Sequence, residues 1–119
     1  MKYFEEKEFE CKCKDKDCKM NNMQEEMKRR LDNARRFART SFVITSGCRC
    51  TEHNKAVGGS KTSSHLTGWA VDIRVENSGD KYKILTGLLA AGFNRIGIGS
   101  NFIHADCDPK KIKCVTWTY

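Results

Sequence analysis

Met23, Met27, Leu31, Ala34 and the Phe37/Ala38 pair recur at steps of three and four residues, which makes one apolar stripe on a helix. Such a stripe must be buried against another element, so the rest of the chain has to supply a partner surface. Asn22, with Glu25 three residues later, predicts a capping box at the start of that helix. Phe42-Val43-Ile44-Thr45 reads as a short buried strand ended by Ser46-Gly47, and Thr51 to Val57 as one or two helical turns closed by Gly58-Gly59. Trp69 to Val75 alternates in the β manner, with Asp72 and Arg74 on one face. Ser78 is expected to cap a second helix running through Tyr82, Ile84, Leu85, Leu88 and Leu89 and stopped by Gly92. Further strands are expected at Arg95–Ile98, Phe102–Ala105 and Ile112–Trp117. The sum is an α+β fold, a small and mostly antiparallel sheet packed against two main helices.

A chain of 119 residues fits one compact domain, 1–119, in which residues 1–19 read as a charged, cysteine-rich and loosely structured arm laid against the domain. With 39% hydrophobic and 31% charged residues the composition is that of a globular protein. No apolar run approaches the ~18–20 residues that span a bilayer. Met1-Lys2-Tyr3-Phe4-Glu5-Glu6-Lys7 has no apolar stretch after its charge, so synthesis in the cytoplasm without a secretory signal is expected. The formal net charge of +7 favours polyanionic surroundings such as nucleic acid, anionic lipid or a teichoic acid-bearing wall. Lys28-Arg29-Arg30 and Arg35-Arg36 read as the solvated face of a helix rather than a binding patch. The seven cysteines cannot all pair within the chain, and a cytosolic origin argues for reduced thiols at first. Cys11, Cys13 and Cys18 can supply part of a structural metal site whose fourth ligand would come from elsewhere. Their spacing is not the usual C-x-x-C pair, and buried thiols or a late disulfide are the plainer expectation.

The stretch that carries chemistry is Ser63-Ser64-His65-Leu66-Thr67-Gly68-Trp69-Ala70-Val71-Asp72. His65 lies just before a strand and Asp72 within it, and Gly68 permits the bend that lets them converge. Phe102-Ile103-His104-Ala105-Asp106 offers His104 as a third ligand from another strand. Two imidazoles and one carboxylate leave a coordination position open, the arrangement of a catalytic zinc site. Zinc there lowers the pKa of water to about 7 and polarises a carbonyl.

These residues resemble the zinc D-alanyl-D-alanine peptidases, which include carboxypeptidases, the vancomycin-resistance dipeptidases and phage L-alanyl-D-glutamate endolysins. The resemblance runs from about Phe9 to Asp106. Its landmarks are Ile44-Thr45-Ser46-Gly47-Cys48-Arg49, Asn54, Val57-Gly58-Gly59-Ser60, Ser64-His65 through Asp72, and Phe102 through Asp106. It implies that His65, Asp72 and His104 bind Zn2+, that Arg49 steers a substrate carboxylate or polarises the scissile carbonyl, and that Ser64 contacts substrate. Asn54, Gly58 and Gly59 look like scaffold that sets Arg49 opposite the metal. Many members carry an acidic general base three positions before the last histidine, and here that position is Asn101, whose amide takes no proton. Asp106, two residues from His104 and hence on the same strand face, is either the substitute base or a partner that orients a ligand or holds Arg49.

The resemblance implies a zinc peptidase acting on peptidoglycan stem peptides, as an L-Ala-D-Glu endopeptidase or a D-Ala-D-Ala carboxypeptidase; the amino terminus without a secretory signal favours a phage lysin, and a monomer is expected. It would act at the cell wall, after phage-mediated release or as a virion component. The alternative is a catalytically silent zinc module, because the Hedgehog signalling domain shares this zinc arrangement. A nucleic-acid binder built around the cysteines is disfavoured, since it leaves the His65, Asp72 and His104 motifs without a role.

Overall fold

The computed structural model describes residues 1–119. Its elements in chain order are α1 (Glu25–Ala38), β1 (Ile44–Ser46), α2 (Thr51–Ala56), β2 (Ala70–Arg74), α3 (Ser78–Ala90), β3 (Arg95–Ile98), β4 (Phe102–Asp106) and β5 (Val115–Thr118), with a 3-10 turn at Glu6–Phe9 before them. The strands form one sheet in the order β1-β2-β4-β3-β5. All neighbours are antiparallel except β3 and β5, which run parallel. The architecture is α+β, with α1 and α3 as the two main helices, as the alternation of helical and strand periods predicts. No helix is long and apolar enough to cross a membrane.

α1 buries Met27, Leu31, Ala34 and Ala38, four positions on one face. Its acidic Glu25 and Glu26 lie in the first turn and its basic Arg35 and Arg36 in the last, both favourable to the helix dipole. Its start differs from the expected capping box. Gln24 occupies the cap position without a side-chain bond. Asn22 instead turns away to donate to the Leu66 carbonyl at 3.0 Å, a tertiary bond that outcompetes the local one. The second helix is capped by Asn77, whose side chain accepts the Asp80 N–H at 2.8 Å, and not by Ser78. On α3 only Ile84, Gly87 and Leu88 are buried, while Tyr82 and Leu89 face outward.

The two helices meet where α3 has no side chain. A Cβ at Gly87 would lie 2.6 Å from the Ala34 carbonyl oxygen and 2.7 Å from the Ala38 Cβ, so glycine and alanines set the interhelical distance. Met27, Leu31, Ile84 and Leu88 share one core with Val71, Ile73, Ile96, Ile103 and Ala105 of the sheet. Each such side chain contributes roughly 1.5–3 kcal/mol through burial. Residues 1–10 lie against the domain, and their Phe4 and Phe9 are buried in that same core. The Cys48 N–H donates to the Phe9 carbonyl at 2.9 Å. β2 and β4 send alternate residues to opposite faces. Val71, Ile73, Ile103 and Ala105 enter the core, which leaves Asp72, His104 and Asp106 on the other face.

Candidate metal centre

Register brings the polar residues of that second face together. Asp72 of β2 stands directly opposite His104 of β4, and His104 stands opposite Gly97 of β3, which in turn pairs with Trp117 of β5. The row therefore reads Asp72, His104, Gly97, Trp117 across four strands. Gly97 leaves the space that the indole occupies, because a Cβ there would lie 2.6 Å from Trp117 Nε1. His65 arrives from the loop before β2, where the Arg49 N–H donates to the His65 carbonyl at 3.1 Å.

The ligand-type atoms of His65, Asp72 and His104 all lie within 4.8 Å of one another. His65 is 2% exposed. Its Nδ1 lies 2.7 Å from the Gly47 carbonyl oxygen, which can only accept, so Nδ1 carries the proton and Nε2 presents a lone pair. That Nε2 is buried and has no hydrogen-bond partner, although Asp72 Oδ1 lies 3.4 Å away. An unpartnered buried nitrogen costs on the order of 1–3 kcal/mol, and a cation at this point removes the cost.

His104 is held from both sides. Its Nε2 donates to Asp106 Oδ2 at 2.7 Å, and its Nδ1 faces Asp72 Oδ1 at 3.0 Å. At that separation Nδ1 and the carboxylate can share a proton, and a zinc ion about 2.0–2.2 Å from each would sit to one side of the line that joins them. Without a metal, burial alone would lower the His104 pKa, but the bonds to Asp106 and Asp72 prevail and raise it. Burial alone would likewise raise the Asp72 carboxyl, and its contacts with His104 and His65 outweigh that and hold it well below the usual carboxylate range. The donor set of two imidazole nitrogens, Asp72 Oδ1 and one open side fits zinc.

Arg49 fixes the other oxygen of the aspartate. Its Nη2 lies 3.3 Å from Asp72 Oδ2, its Nη1 donates to Asn54 Oδ1 at 3.2 Å and its Nε to Ser46 Oγ at 3.0 Å. Asn54 in turn donates to the Ser60 carbonyl at 2.8 Å. A Cβ at Gly59 would lie 2.1 Å from Asn54 Oδ1, so glycine here is what allows Asn54 to reach Arg49. Asn54 and Gly59, expected as scaffold, thus hold the guanidinium beside the histidines.

Ser64 is 3% exposed and donates to Asp108 Oδ2 at 2.8 Å, which ties the His65 loop to the turn after β4, and it lines the cleft beside the histidines. Asp106 lies behind the His104 ring, on the edge away from Asp72. Its Oδ1 is 2.8 Å from Arg95 Nε and 3.3 Å from the Asp108 amide nitrogen. Burial would raise its pKa, but His104 and Arg95 lower it. The contact with His104 Nε2 is one that an orienting partner makes, and Asp106 also lines the cleft beside the histidines. Asn101 is exposed, and its carbonyl accepts the Val75 N–H at 2.9 Å.

The three ligand candidates and Arg49 line a cleft of about 350 Å³, together with Arg95, Phe102, Lys111, Trp117 and Tyr119. Arg95 Cζ sits 5.2 Å from the Trp117 ring centroid, a cation–π contact. Arg95, Lys111 and Tyr119 were not anticipated from the sequence. The R-x-G alternation of Arg95-Ile96-Gly97 was the readable signal for the first, while Lys111 and Tyr119 reach the cleft through loop and strand placement that no local pattern encodes. The cysteines fall outside this cleft. No curated protein matches the chain. The sequence profile of the peptidase M15 family does match, over residues 2–106, and covers every residue that builds the cluster. The chain belongs to the peptidase M15 family, whose members are typically zinc-dependent peptidases.

Proposed function

We propose that this metallopeptidase cleaves peptide bonds in peptidoglycan stem peptides, with zinc held by His65 Nε2, Asp72 Oδ1 and His104 Nδ1. The observation that carries the reading is the buried, unpartnered His65 Nε2 aimed at Asp72 Oδ1 and His104 Nδ1 on the wall of a cleft. Bound zinc supplies an acidified water and a Lewis acid for the scissile carbonyl. Arg49 keeps Asp72 in place and presents a fixed cation where negative charge develops on the carbonyl oxygen. Asp106 fixes the tautomer of His104 so that Nδ1 stays free for the metal. Arg49, Arg95 and Lys111 give the cleft a cationic lining, suited to stem peptides that carry free carboxylates. The net charge of +7 suits an anionic wall, and the wall is the proposed site of action, reached by phage-mediated release or as part of a virion.

A second reading, a zinc-bearing module that binds without cleaving, is favoured by one observation. The acids lining the cleft are Asp72 and Asp106, and both are committed to histidine and arginine partners. The deciding experiment incubates the zinc-loaded protein with intact peptidoglycan, with and without a chelator, and identifies new termini by mass spectrometry. New L-Ala and D-Glu ends would establish the endopeptidase, and released D-Ala the carboxypeptidase. Zinc bound at His65, Asp72 and His104 with no new terminus would establish the binding module.

A further inference from the structure

Cys11, Cys13, Cys18 and Cys50 bring their sulfurs together in a second cluster, separate from the His65, Asp72 and His104 group. All four lie within 4.8 Å of one another, and none is disulfide-bonded. A tetrahedral zinc with Zn–S bonds of about 2.3 Å has sulfur–sulfur edges of about 3.8 Å, so the four need close by no more than about an ångström. Cys50 supplies the fourth ligand that the amino-terminal spacing lacks. Two backbone amides already point at sulfur, the Cys50 N–H at Cys11 Sγ and the His53 N–H at Cys50 Sγ, each at 3.4 Å. Such N–H donors favour the thiolate form that binds metal.

The segment that carries three of the cysteines has little else to hold it. Between Cys11 and Met20 no side chain is buried. The backbone is nevertheless closed on itself by the Cys11 N–H to the Met20 carbonyl at 2.8 Å, by the Cys18 N–H to the Asp15 carbonyl at 3.1 Å, and by a left-handed Lys19 at φ 40°. With Met20 at its end as the one side chain packed against the core, the stretch pays most of its ordering entropy from some other source, and a metal crosslink is such a source. Four thiolates around a divalent ion carry a net charge of −2, and in the same segment Lys12, Lys14, Lys16 and Lys19 outnumber Asp15 and Asp17 and so offset it. An all-sulfur tetrahedral set selects zinc or iron over the harder divalent ions.

We propose that Cys11, Cys13, Cys18 and Cys50 form a second, structural zinc site that fastens the Cys11–Met20 loop to the residue next to Arg49. The site is closed, with no position left for substrate or water, and its role is to hold the start of α2 and hence the Arg49 backbone.

Cobalt(II) substitution reads this site separately from the histidine cluster, because only thiolate ligands give an intense sulfur-to-cobalt charge-transfer band. The expected result is two metal equivalents per chain, with the band present in the wild type and undiminished in His104→Ala, which should lose one equivalent. Cys13→Ser should lose the band. If that variant does not fold, alkylation of the metal-loaded wild type decides instead. The exposed Cys114 should label at once, and the four cluster cysteines should label only after chelation. A missing band, iron in place of zinc, cluster cysteines that label as fast as Cys114, or a disulfide among the four in the mass spectrum of the purified protein would overturn the proposal. None of these outcomes bears on whether the histidine site hydrolyses peptides.

Discussion

His104 makes a different kind of contact at each ring nitrogen, and the difference can be measured. If Asp106 orients the ring, Asp106→Asn should weaken zinc binding at the histidine site by about 10–100-fold, and turnover should return when zinc saturates the site. A base at that position predicts the opposite, lost turnover with the metal fully bound. Zinc titrations paired with activity at saturation separate the two. The pH response follows from the raised His104 pKa in the metal-free protein. A group whose pKa is raised by folding adds stability that is fully present below its unfolded value of about 6.5 and is lost as pH rises through the folded value. Urea midpoints of metal-free protein should therefore fall as pH is raised above about 6.5. His104→Gln should lack that fall, and an equal fall in the variant would assign the titration to another group.

Between elements, the closest packing is at the α1–α3 crossing. Gly87→Ala should gain roughly 1 kcal/mol in helix propensity and lose about 1–3 kcal/mol to overpacking against Ala34 and Ala38. The expected sum is a lower denaturation midpoint with an unchanged m value. A midpoint at or above wild type would mean that α1 gives way at no cost. What was legible at this scale was periodicity. The α1 stripe and the β2 alternation carry a period that survives tertiary context, the strands expected at Arg95–Ile98 and Phe102–Ala105 form, and the one expected at Ile112–Trp117 forms over Val115–Thr118; from these the fold class follows. The helix starts were less legible, because Asn22 and Ser78 are competent caps, yet Leu66 offers Asn22 a better partner and Asn77 precedes Ser78. Of the site, His65, Asp72, His104 and Arg49 sit in motifs that a reader can find. The contacts of Ser64 and Asp106 depend on Asp108 and Arg95, which become their neighbours only once β4 pairs with β2 and with β3. Cys50 as the fourth member of the sulfur cluster needed the same kind of long-range contact, since it lies 39 positions from Cys11.

Over the whole molecule, the sheet joins segments far apart in the chain, and its central pairing sets Asp72 against His104 across 32 positions. The histidine cluster is complete only when that pairing is complete, which has a consequence in time. A ligand that recognises only the finished arrangement has nothing to grip in a partly paired transition state. Its binding energy then appears in the barrier to unfolding and not in the speed of folding. With free zinc at about 100 times its dissociation constant, some 2.7 kcal/mol is added to the native state. Stopped-flow experiments on the Cys11→Ser, Cys13→Ser, Cys18→Ser, Cys50→Ser variant, in which the sulfur cluster is removed, should show zinc slowing unfolding about 100-fold while refolding proceeds at the metal-free rate. Faster refolding in zinc would place the β2–β4 pairing early, so the register that aligns two ligands also decides whether the metal guides the chain into its fold or locks the door behind it.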